Sequence, residues 1–282
     1  MAITTKSAAS LVKKGVTEHV ITFDSLVEIP GLVSERGVTV NSDKWAGGLG
    51  HIQAMEFCLT GDHSQVAKSD EYLTRLESLI KIDTHAMRWQ DNVSGSIPNV
   101  PAYIAGHPLA MRRRTRESSE FSPLAIVVDT TISAGIDKDT IQKRGAAILA
   151  LVRLLGSVRP IELYVACGVG TTTGGANWIF ARINTSPLDL ASAGFALCHP
   201  TFPRGICYEI ARRSQDGFNG QWPYNDHDTS VKHFHDICQR WLPHVAEFLA
   251  LPGAHYNDPA ATDPEQWIKE KLAIFAPMVA TD

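Results

Sequence analysis

The clearest hydrophobic pattern of the chain lies in its middle third. Residues 124–128 form a continuous apolar run, which is typical of a strand buried on both faces of a sheet. Residues 137–155 carry apolar side chains at helical spacing behind Asp137, a good N-cap residue, and end before Gly156. Residues 161–166 and 177–183 are two further apolar runs of strand length. The pattern predicts a β-α-β-β unit over residues 124–184.

The connections between these segments predict how the strands pair. A helical crossover makes the first two strands parallel, and the short glycine-rich segment 168–175 makes the third strand antiparallel to the second. The flanking parts, residues 1–123 and 185–282, are predicted to be mainly helical. We therefore expect an α/β fold, with α+β character overall. Its small mixed sheet has a parallel pair and an antiparallel edge strand under many helices, an arrangement that leaves room for a novel fold.

The flanking predictions rest on shorter apolar repeats. Residues 1–40 and 99–105 are interpreted as short helical pieces and residues 69–82 as a clearer helix. The C-terminal part is expected to hold four helices, at residues 187–197, 202–213, 231–251 and 264–276. Since the chain has no internal repeat and no low-complexity linker, a single domain over residues 1–282 is expected.

Composition narrows the class of protein. Hydrophobic residues make up 44% and charged residues 20% of the chain, which is ordinary for a globular protein. No apolar run approaches the roughly 18 residues of a membrane span, and residues 1–15 lack the pattern of a signal peptide. The five cysteines form no Cys-x-x-Cys pair, which favours reduced thiols and a cytoplasmic location. No membrane association and no cofactor are expected.

The most basic segment is a run of four arginines within five positions, Arg112, Arg113, Arg114 and Arg116. Because the net charge is −4, nucleic acid would bind only through such a local patch. Arginines neutralise phosphates and stack on bases, and tryptophans beside basic residues offer further stacking surfaces. The alternative is a solvated loop in which Glu117 and Glu120 pair with the arginines. The other candidate contacts are Lys13, Lys14, Arg36, Lys44, Trp45, Arg88 and Trp89.

Asp129, Thr131 and Ser133 follow the first buried strand at alternate positions. Three oxygens on one side of a strand-end loop suit a hard cation such as Mg²⁺. The segment resembles the Asp-x-Ser-x-Ser metal site of von Willebrand A domains, and the β-α-β-β order is compatible with that family. The resemblance implies a metal-dependent protein-interaction module. The alternative is that these side chains cap the following turn.

Histidines and cysteines cluster towards the C-terminus, but without standard zinc spacing. His235 and Cys238 lie one helical turn apart, so a hydrolase hypothesis requires them to meet His227 and Asp228 in one cleft. No nucleophile shows a sequence context prepared for catalysis, and we expect a protein that is not an enzyme. The cluster also includes His233 and, upstream, Cys198, His199 and Cys207.

Several segments resemble an uncharacterised family that is widespread in tailed-phage genomes. The segments are Trp45-Ala46-Gly47-Gly48, residues 99–111, residues 126–134, the helix segment Lys143-Arg144-Gly145-Ala146-Ala147, and His199-Pro200 with Phe202 and Arg204. Within this group, the size and layout are similar to the Drc family, the RNA polymerase cofactors of podoviruses with a giant virion RNA polymerase. The resemblance implies single-stranded DNA binding without strong sequence preference and a role in middle transcription. It also implies a phage RNA polymerase partner, self-association, and residence in the bacterial host cytoplasm.

Overall fold

The computed structural model of the protein describes residues 9–13, 16–35, 37–77, 87–94, 97–116, 123–171, 176–212, 227–242 and 245–275. The described strands, in chain order, are β1 (Ala9–Lys13), β2 (Val16–Phe23), β3 (Met87–Asn92), β4 (Ile97–Pro98), β5 (Met111–Arg116), β6 (Leu124–Asp129), β7 (Ile161–Gly170), β8 (Ala176–Ile183) and β9 (Glu247–Leu251).

The described α-helices are α1 (Ile29–Glu35), α2 (His51–Thr60), α3 (Val66–Glu77), α4 (Val100–Ile104), α5 (Lys138–Val158), α6 (Leu190–Cys198), α7 (Tyr208–Arg212), α8 (His227–Trp241), α9 (Pro259–Thr262) and α10 (Pro264–Phe275). A π-helical segment, Thr201–Cys207, leads into α7, and Leu26–Glu28, Lys44–Ala46 and His63–Gln65 are 3-10 turns. Among the described helices, none is long and apolar enough to cross a membrane.

Six strands form a mixed central sheet in the order β1-β2-β8-β7-β6-β9. β6 lies parallel to β7, and β8 lies antiparallel to β7, so the predicted strand pairing and the α/β class are confirmed. β8 is not an edge strand as predicted, because β2 pairs in parallel with its other side. On the opposite side of the unit, β9 lies parallel to β6. The sheet therefore joins strands from the N-terminal, central and C-terminal parts of the chain.

Alternating residues of the central strands enter two separate cores. Leu124, Ile126 and Val128 of β6 pack in a large cluster with the buried faces of α5 and α6. Ala125 and Val127 point to the opposite face, where they pack with Phe234 and other side chains of α8. Burial on both faces explains why β6 is a continuous apolar run rather than an alternating one. The sheet is thus covered by helices on both sides.

Helix α5 begins as predicted, because the Asp137 carboxylate accepts a hydrogen bond of 2.8 Å from the Thr140 backbone N–H. It continues past Gly156 to Val158, and ends before Pro160, which disfavours helical backbone at the preceding residue. Gly145 lies where α5 meets α6. A Cβ at this position would lie 2.3 Å from the carbonyl oxygen of Leu197, so the close approach of the two helices requires glycine.

Two predictions for the flanking parts are wrong. Residues 1–40 do not consist of short helical pieces alone, since β1 and β2 form an antiparallel pair that adds to the central sheet. Residues 231–251 are not one helix, because α8 ends at Trp241 and β9 follows. Pro243 cannot donate a helical hydrogen bond, and the Leu249 and Leu251 side chains are buried in the core as part of a strand. The N-terminal part is therefore mixed in structure, whereas the described residues of the C-terminal part are mainly helical, as predicted, with β9 as their strand.

A second, three-stranded sheet has the order β3-β5-β4, with both pairs antiparallel. It lies within residues 87–116, where the sequence predicted little regular structure beyond a helix at 99–105. That short helix is confirmed as α4, capped by the Asn99 side chain. The arginine run is strand β5, at the centre of this small sheet. The four arginines proposed to contact nucleic acid therefore lie on a strand and not in a loop.

Candidate functional site

The small sheet carries six of the predicted nucleic-acid contacts, and strand alternation divides their positions between its two faces. Arg112, Arg113, Arg114 and Arg116 follow one another along β5. The antiparallel register places Trp89 opposite Arg114 and Arg88 opposite Thr115. Opposed residues of antiparallel strands have Cβ atoms about 4.5–5.5 Å apart and belong to the same face of the sheet. The Trp89 position therefore shares a face with positions 112, 114 and 116, whereas positions 88 and 113 belong to the opposite face.

Asp91 is the acidic neighbour of this strand. Its Oδ1 accepts a hydrogen bond from Arg112 Nε at 3.3 Å and another from Asn99 Nδ2 at 3.2 Å. The side chains of Arg112 and Asp91 are 51% and 47% exposed. An ion pair this exposed contributes only about 0–1 kcal/mol. Arg112 is therefore weakly neutralised and can exchange Asp91 for a phosphate at little cost.

Exposed apolar side chains lie beside the small sheet. Asn99, the N-cap residue of α4, lies next to the start of β5, because its backbone N–H donates a hydrogen bond of 2.8 Å to the Ala110 carbonyl. On α4, the Tyr103 and Ile104 side chains are 74% and 79% exposed, and Val100 is also exposed. An exposed tyrosine ring is a surface on which a base can stack. Basic and flat apolar groups thus occur within one short stretch of chain.

The other predicted contacts belong to different elements. Lys13 ends β1, and β1 is an edge strand of the central sheet. Lys44 and Trp45 lie in the 3-10 turn Lys44–Ala46, where Lys44 is exposed and Trp45 is 37% exposed. Lys14 and Arg36 lie outside the described residues. The structure therefore groups the arginine run with Arg88 and Trp89, and places Lys13, Lys44 and Trp45 elsewhere.

At the carboxyl end of β6, Asp129 is buried in a hydrogen-bonded turn. Its carboxylate accepts from the Thr131 backbone N–H at 2.8 Å and from the Thr131 hydroxyl at 2.5 Å. The same hydroxyl accepts from the Gly168 backbone N–H at 2.7 Å. Burial raises the pKa of Asp129 to about 6, although the Thr131 hydrogen bonds and Arg144 lower it. These contacts are those of the turn-capping alternative, and both hydrogen bonds from Thr131 go to Asp129 Oδ1.

Ser133, the third residue of the predicted metal site, contributes its backbone carbonyl to a different contact, a hydrogen bond of 3.0 Å from Arg204 Nη2. Among the described residues, no group of three or more His, Cys, Asp or Glu side chains is placed to hold a metal. The observed contacts of Asp129 and Thr131 are those of a capped turn.

A buried ion pair lies next to this turn. Arg144 Nε of α5 donates to Asp258 Oδ2 at 2.7 Å, with side chains only 5% and 12% exposed. Arg144 Nη2 also donates to the Pro252 carbonyl, and Asp258 caps α9 by accepting from the Ala260 backbone N–H at 2.8 Å. The pair thus fixes the segment after β9 against α5. The sequence places Arg144 in a helix motif without indicating this role, and the available signal is that it directly precedes the small and apolar run 145–152.

A cavity of about 340 Å³ opens at the same end of the sheet. Its walls are the loop after β6, the end of β7, the turn containing Trp45 and the segment containing Arg204. Gly47 follows that turn with a φ of +102°, and a Cβ there would lie 2.5 Å from the Thr201 hydroxyl oxygen. Thr201 Oγ1 donates to the Ala46 carbonyl at 2.8 Å. This close docking explains the Trp-Ala-Gly-Gly segment and holds one wall of the cavity in place.

The histidine and cysteine cluster does not form a catalytic cleft in the described part of the chain. The His235 ring is exposed and lies 4.8 Å from the Phe248 ring, centroid to centroid. Cys238 is buried with Phe234, and burial raises the pKa of its thiol. His235 and Cys238 therefore do not share an accessible site, and the His227 and Asp228 side chains lie outside the described residues. All five cysteines are buried free thiols.

The fold and these sites define an α/β protein with helices on both faces of a mixed sheet, plus a separate sheet built around an arginine strand. A family model described as a domain of unknown function, DUF7192, matches residues 11–230. The chain belongs to this family. No curated protein matches the chain, and no solved structure matches it. The matched span includes the small sheet, the Asp129 turn and the Arg204 segment.

Proposed function

We propose that the protein binds single-stranded DNA through the small β3–β5–β4 sheet. The observation that carries this proposal is the pairing of the arginine strand β5 with the Trp89 position of β3. A single-strand binder needs positive charge along the backbone of the nucleic acid and flat side chains for its bases. Each stacked base contributes about 1–3 kcal/mol, so one or two aromatic contacts beside several arginines are sufficient for measurable affinity.

The charge distribution supports a local contact rather than a wrapped duplex. The chain has a net charge of −4, so its acidic body repels nucleic acid outside the arginine strand. The exposed Tyr103 ring on α4 adds a stacking surface next to that strand. Because bases of a duplex are already stacked on each other, such surfaces favour a single strand. Sequence preference should be weak, since every base has a flat face.

We further propose that the protein, by binding single-stranded DNA, acts as a cofactor of a phage RNA polymerase. This proposal rests on the resemblance to the Drc family and on the segments that carry it. In this proposal the protein acts as a non-enzymatic cofactor at middle promoters, without strong sequence specificity, and associates with itself in the bacterial cytoplasm. Exposed apolar side chains on α4, beside the proposed DNA surface, are available for such protein contacts.

The test is fluorescence anisotropy with a labelled single strand of roughly 16 nucleotides and its duplex. We expect tighter binding of the single strand, with affinity falling steeply between about 50 mM and 200 mM salt. Replacing Arg112, Arg113, Arg114 and Arg116 together by alanine should reduce the salt slope by about 0.7 for each phosphate that is no longer neutralised. Equal affinity and equal slope in this variant would contradict the proposed site.

A matched control separates the arginine strand from charge in general. Arg75, Arg182 and Arg212 are about half exposed and lie on α3, β8 and α7. Their joint replacement by alanine removes three positive charges elsewhere on the surface. We expect it to leave most of the single-strand affinity and the salt slope in place. A loss as large as that of the β5 variant would show that only net charge matters.

A second candidate function is a protein-interaction module of the von Willebrand A type. The observation that favours it is the sheet order β8-β7-β6-β9. Counted from β6 this order is 3-2-1-4, which is also the order of the first four strands of a doubly wound sheet. In such sheets ligands bind outside the carboxyl ends of the strands, where the order reverses. Calorimetric titration with Mg²⁺ tests the metal-dependent form. Heat of binding that disappears in Asp129→Asn would support it, and no heat would contradict it.

A further inference from the structure

The cavity at the carboxyl end of β6 and β7 has the features of a ligand site that the proposed DNA surface does not use. Its volume of about 340 Å³ lies within the roughly 300–1,000 Å³ of small-molecule pockets. Its position also fits the rule that open α/β sheets bind ligands beyond the carboxyl ends of their strands. The chemistry of its lining then decides which class of ligand it suits.

Arg204 supplies the only charged side chain among the described residues that line the cavity. The other described lining residues are Trp45, Thr131, Ile132, Ser133, Ala134, Cys167, Gly168, Val169, Pro203 and Tyr208. None of these described residues is acidic, and Arg204 is only 5% exposed. A buried charge is costly unless it is paired with an opposite charge. Arg204 therefore gives one wall of the described lining its positive charge.

The hydrogen bonds of Arg204 leave part of the guanidinium unused. Nη1 donates to the Trp45 carbonyl at 3.1 Å, and Nη2 donates to the carbonyls of Ser133 and Ile136 at 3.0 and 2.7 Å. Nε is buried and has no hydrogen-bond partner within the described part of the chain. Because a guanidinium has five N–H donors, these neutral acceptors do not exhaust it. Burial accordingly lowers the pKa of Arg204, by more than the Asp137 carboxylate raises it.

Flat and apolar groups stand next to this cation. The Arg204 guanidinium carbon lies 4.8 Å from the centroid of the Trp45 ring. The Tyr208 ring meets the Trp45 ring edge to face, with centroids 5.9 Å apart. Trp45 Nε1 donates to the Ala134 carbonyl at 3.0 Å, which fixes the orientation of the indole. The ring positions are thus set before any ligand enters.

We propose that this cavity binds a small organic anion, a carboxylate or phosphate attached to a flat apolar group. The anionic group lies against Arg204, and the apolar group lies along Trp45 and Tyr208. Arginine suits both anions because its planar donors match carboxylate and phosphate oxygens. A ligand of this class supplies the negative charge that the described lining lacks and fills an apolar space of matching size.

The experiment uses simple probes on the full chain without DNA. Benzoate and phenyl phosphate are the anionic probes, and benzamide is the neutral isostere of benzoate. Binding is followed by the indole N–H resonances of ¹⁵N-labelled protein, with Trp45→Phe used to assign the Trp45 signal. We expect a saturable shift of that signal with one of the anions, and at least about tenfold weaker binding of benzamide, equivalent to about 1.4 kcal/mol. Whichever anion binds more tightly identifies the head group.

Variants test the position of the site without relying on one substitution. Arg204→Lys should weaken the anion at least about tenfold, because lysine cannot reproduce the planar donor set. Since Arg204 holds several carbonyl groups, this variant is compared only after its thermal unfolding is shown to match the wild type. Ala134→Phe leaves Arg204 intact and narrows the cavity, and should also weaken binding about tenfold. The β5 arginine variant should bind the probe like the wild type.

Three results would overturn the proposal. They are equal affinity for benzoate and benzamide, no shift of the Trp45 signal with any probe, and full probe binding in Ala134→Phe. Because the β5 arginines are absent from the described cavity lining, loss of DNA binding in their variant bears only on the proposed function. The two proposals can therefore fail independently.

Discussion

The central sheet and the small sheet both carry arginines, and the two settings differ in burial. Beside the central sheet, Arg144 is 5% exposed and ion-paired with Asp258 at 2.7 Å. Arg159, also buried, pairs with Glu247 of β9 at 2.6 Å. In the small sheet, Arg112 is half exposed and contacts only Asp91 among the acidic residues described. Similar side chains therefore sit in a dry, fixed environment in one region and in solvent in the other.

The difference separates buried arginines that are ion-paired within the protein, which stabilise the fold, from Arg112, which is available to DNA. A buried guanidinium must keep its partners, because the lost hydration is replaced only by fixed hydrogen bonds. An exposed guanidinium stays hydrated and gains little from its ion pair, so it can bind a phosphate without destabilising the protein. We therefore expect large effects on stability around the central sheet and small ones in the small sheet.

The largest expected effect is that of Arg144→Ala. The substitution leaves the Asp258 carboxylate buried without its cation, and removing one partner of a buried ion pair costs about 3–5 kcal/mol. Urea unfolding should show this loss of unfolding free energy. The double variant Arg144→Ala/Asp258→Ala should lose less than the sum of the two single variants, because it leaves no unpaired charge. If Arg144→Ala loses less than about 1 kcal/mol of unfolding free energy, the buried ion pair is no more important for stability than an exposed one.

The next effect is the pH dependence that Asp129 contributes. Burial raises its pKa from the usual 3.8 to about 6 in the folded protein. Between these values the folded state binds more protons than the unfolded state, so this group's contribution to stability falls as pH rises from about 4 to 6. The expected fall is on the order of 3 kcal/mol, since one pKa unit corresponds to about 1.36 kcal/mol.

Asp129→Asn isolates this contribution, because asparagine does not titrate and can still accept from Thr131. Urea unfolding of both proteins at several pH values gives the difference between their unfolding free energies. As the pH rises from about 4 to 6, the wild type should lose unfolding free energy relative to Asp129→Asn. Above about pH 6 the difference should stay constant. A constant difference would mean that the Asp129 carboxylate is hydrated in the folded protein.

A smaller loss is expected for Gly145→Ala in α5. Its Cβ would lie 2.3 Å from the Leu197 carbonyl oxygen and 2.7 Å from Cys198 Sγ, so α6 must move. We expect a loss of about 1–3 kcal/mol, despite the higher helix propensity of alanine. Gly156→Ala in the same helix is the control, because its nearest atom is the side-chain Cδ1 of Ile161 at 3.1 Å. Thermal unfolding should show little loss there, and equal losses would point to the backbone instead of to packing.

The sequence predicted the parts of the fold that are long and strongly apolar. The strands at β6, β7 and β8 and the helix α5 each bury most of their side chains, so the pattern is visible without knowledge of partners. The missed strands depend on distant partners. β2 pairs with β8, more than 150 residues later, and its register starts with Glu18 opposite Ala176. Strand β5 was missed because four arginines are not typical of a strand.

The same contrast between local and distant signals applies to the two candidate sites, the arginine strand and the cavity around Arg204. The arginine strand was found because charge is visible in composition, and its strand state then placed Arg88 and Trp89 beside it. The cavity around Arg204 was not found. Its contacts come from Trp45, Ser133 and Ile136, which lie far from Arg204 in the chain and form no local motif. A site assembled by tertiary docking leaves no pattern in one sequence, whereas a run of like charges does.

The smallest expected effect on stability, and the sharpest test of the comparison, comes from Arg112 and Asp91. Arg112→Ala and Asp91→Asn should each change the unfolding free energy by less than about 0.5 kcal/mol, because both side chains are half exposed. Their effects on DNA should be opposite. Arg112→Ala should lower the salt slope by about 0.7, whereas Asp91→Asn removes a competing negative charge and should tighten single-strand binding.

Unfolding and anisotropy titrations on the same preparations separate the two possible roles of this ion pair. If both variants weaken binding and lower stability together, the Arg112–Asp91 ion pair maintains the small sheet, and the distinction between the two regions fails. If binding moves in opposite directions at constant stability, exposed Arg112 acts on the DNA, while the buried, ion-paired Arg144 and Arg159 hold the fold. Since Asn99 also donates to Asp91 at 3.2 Å, asparagine at position 91 preserves an acceptor for it. The change in binding then reports charge alone.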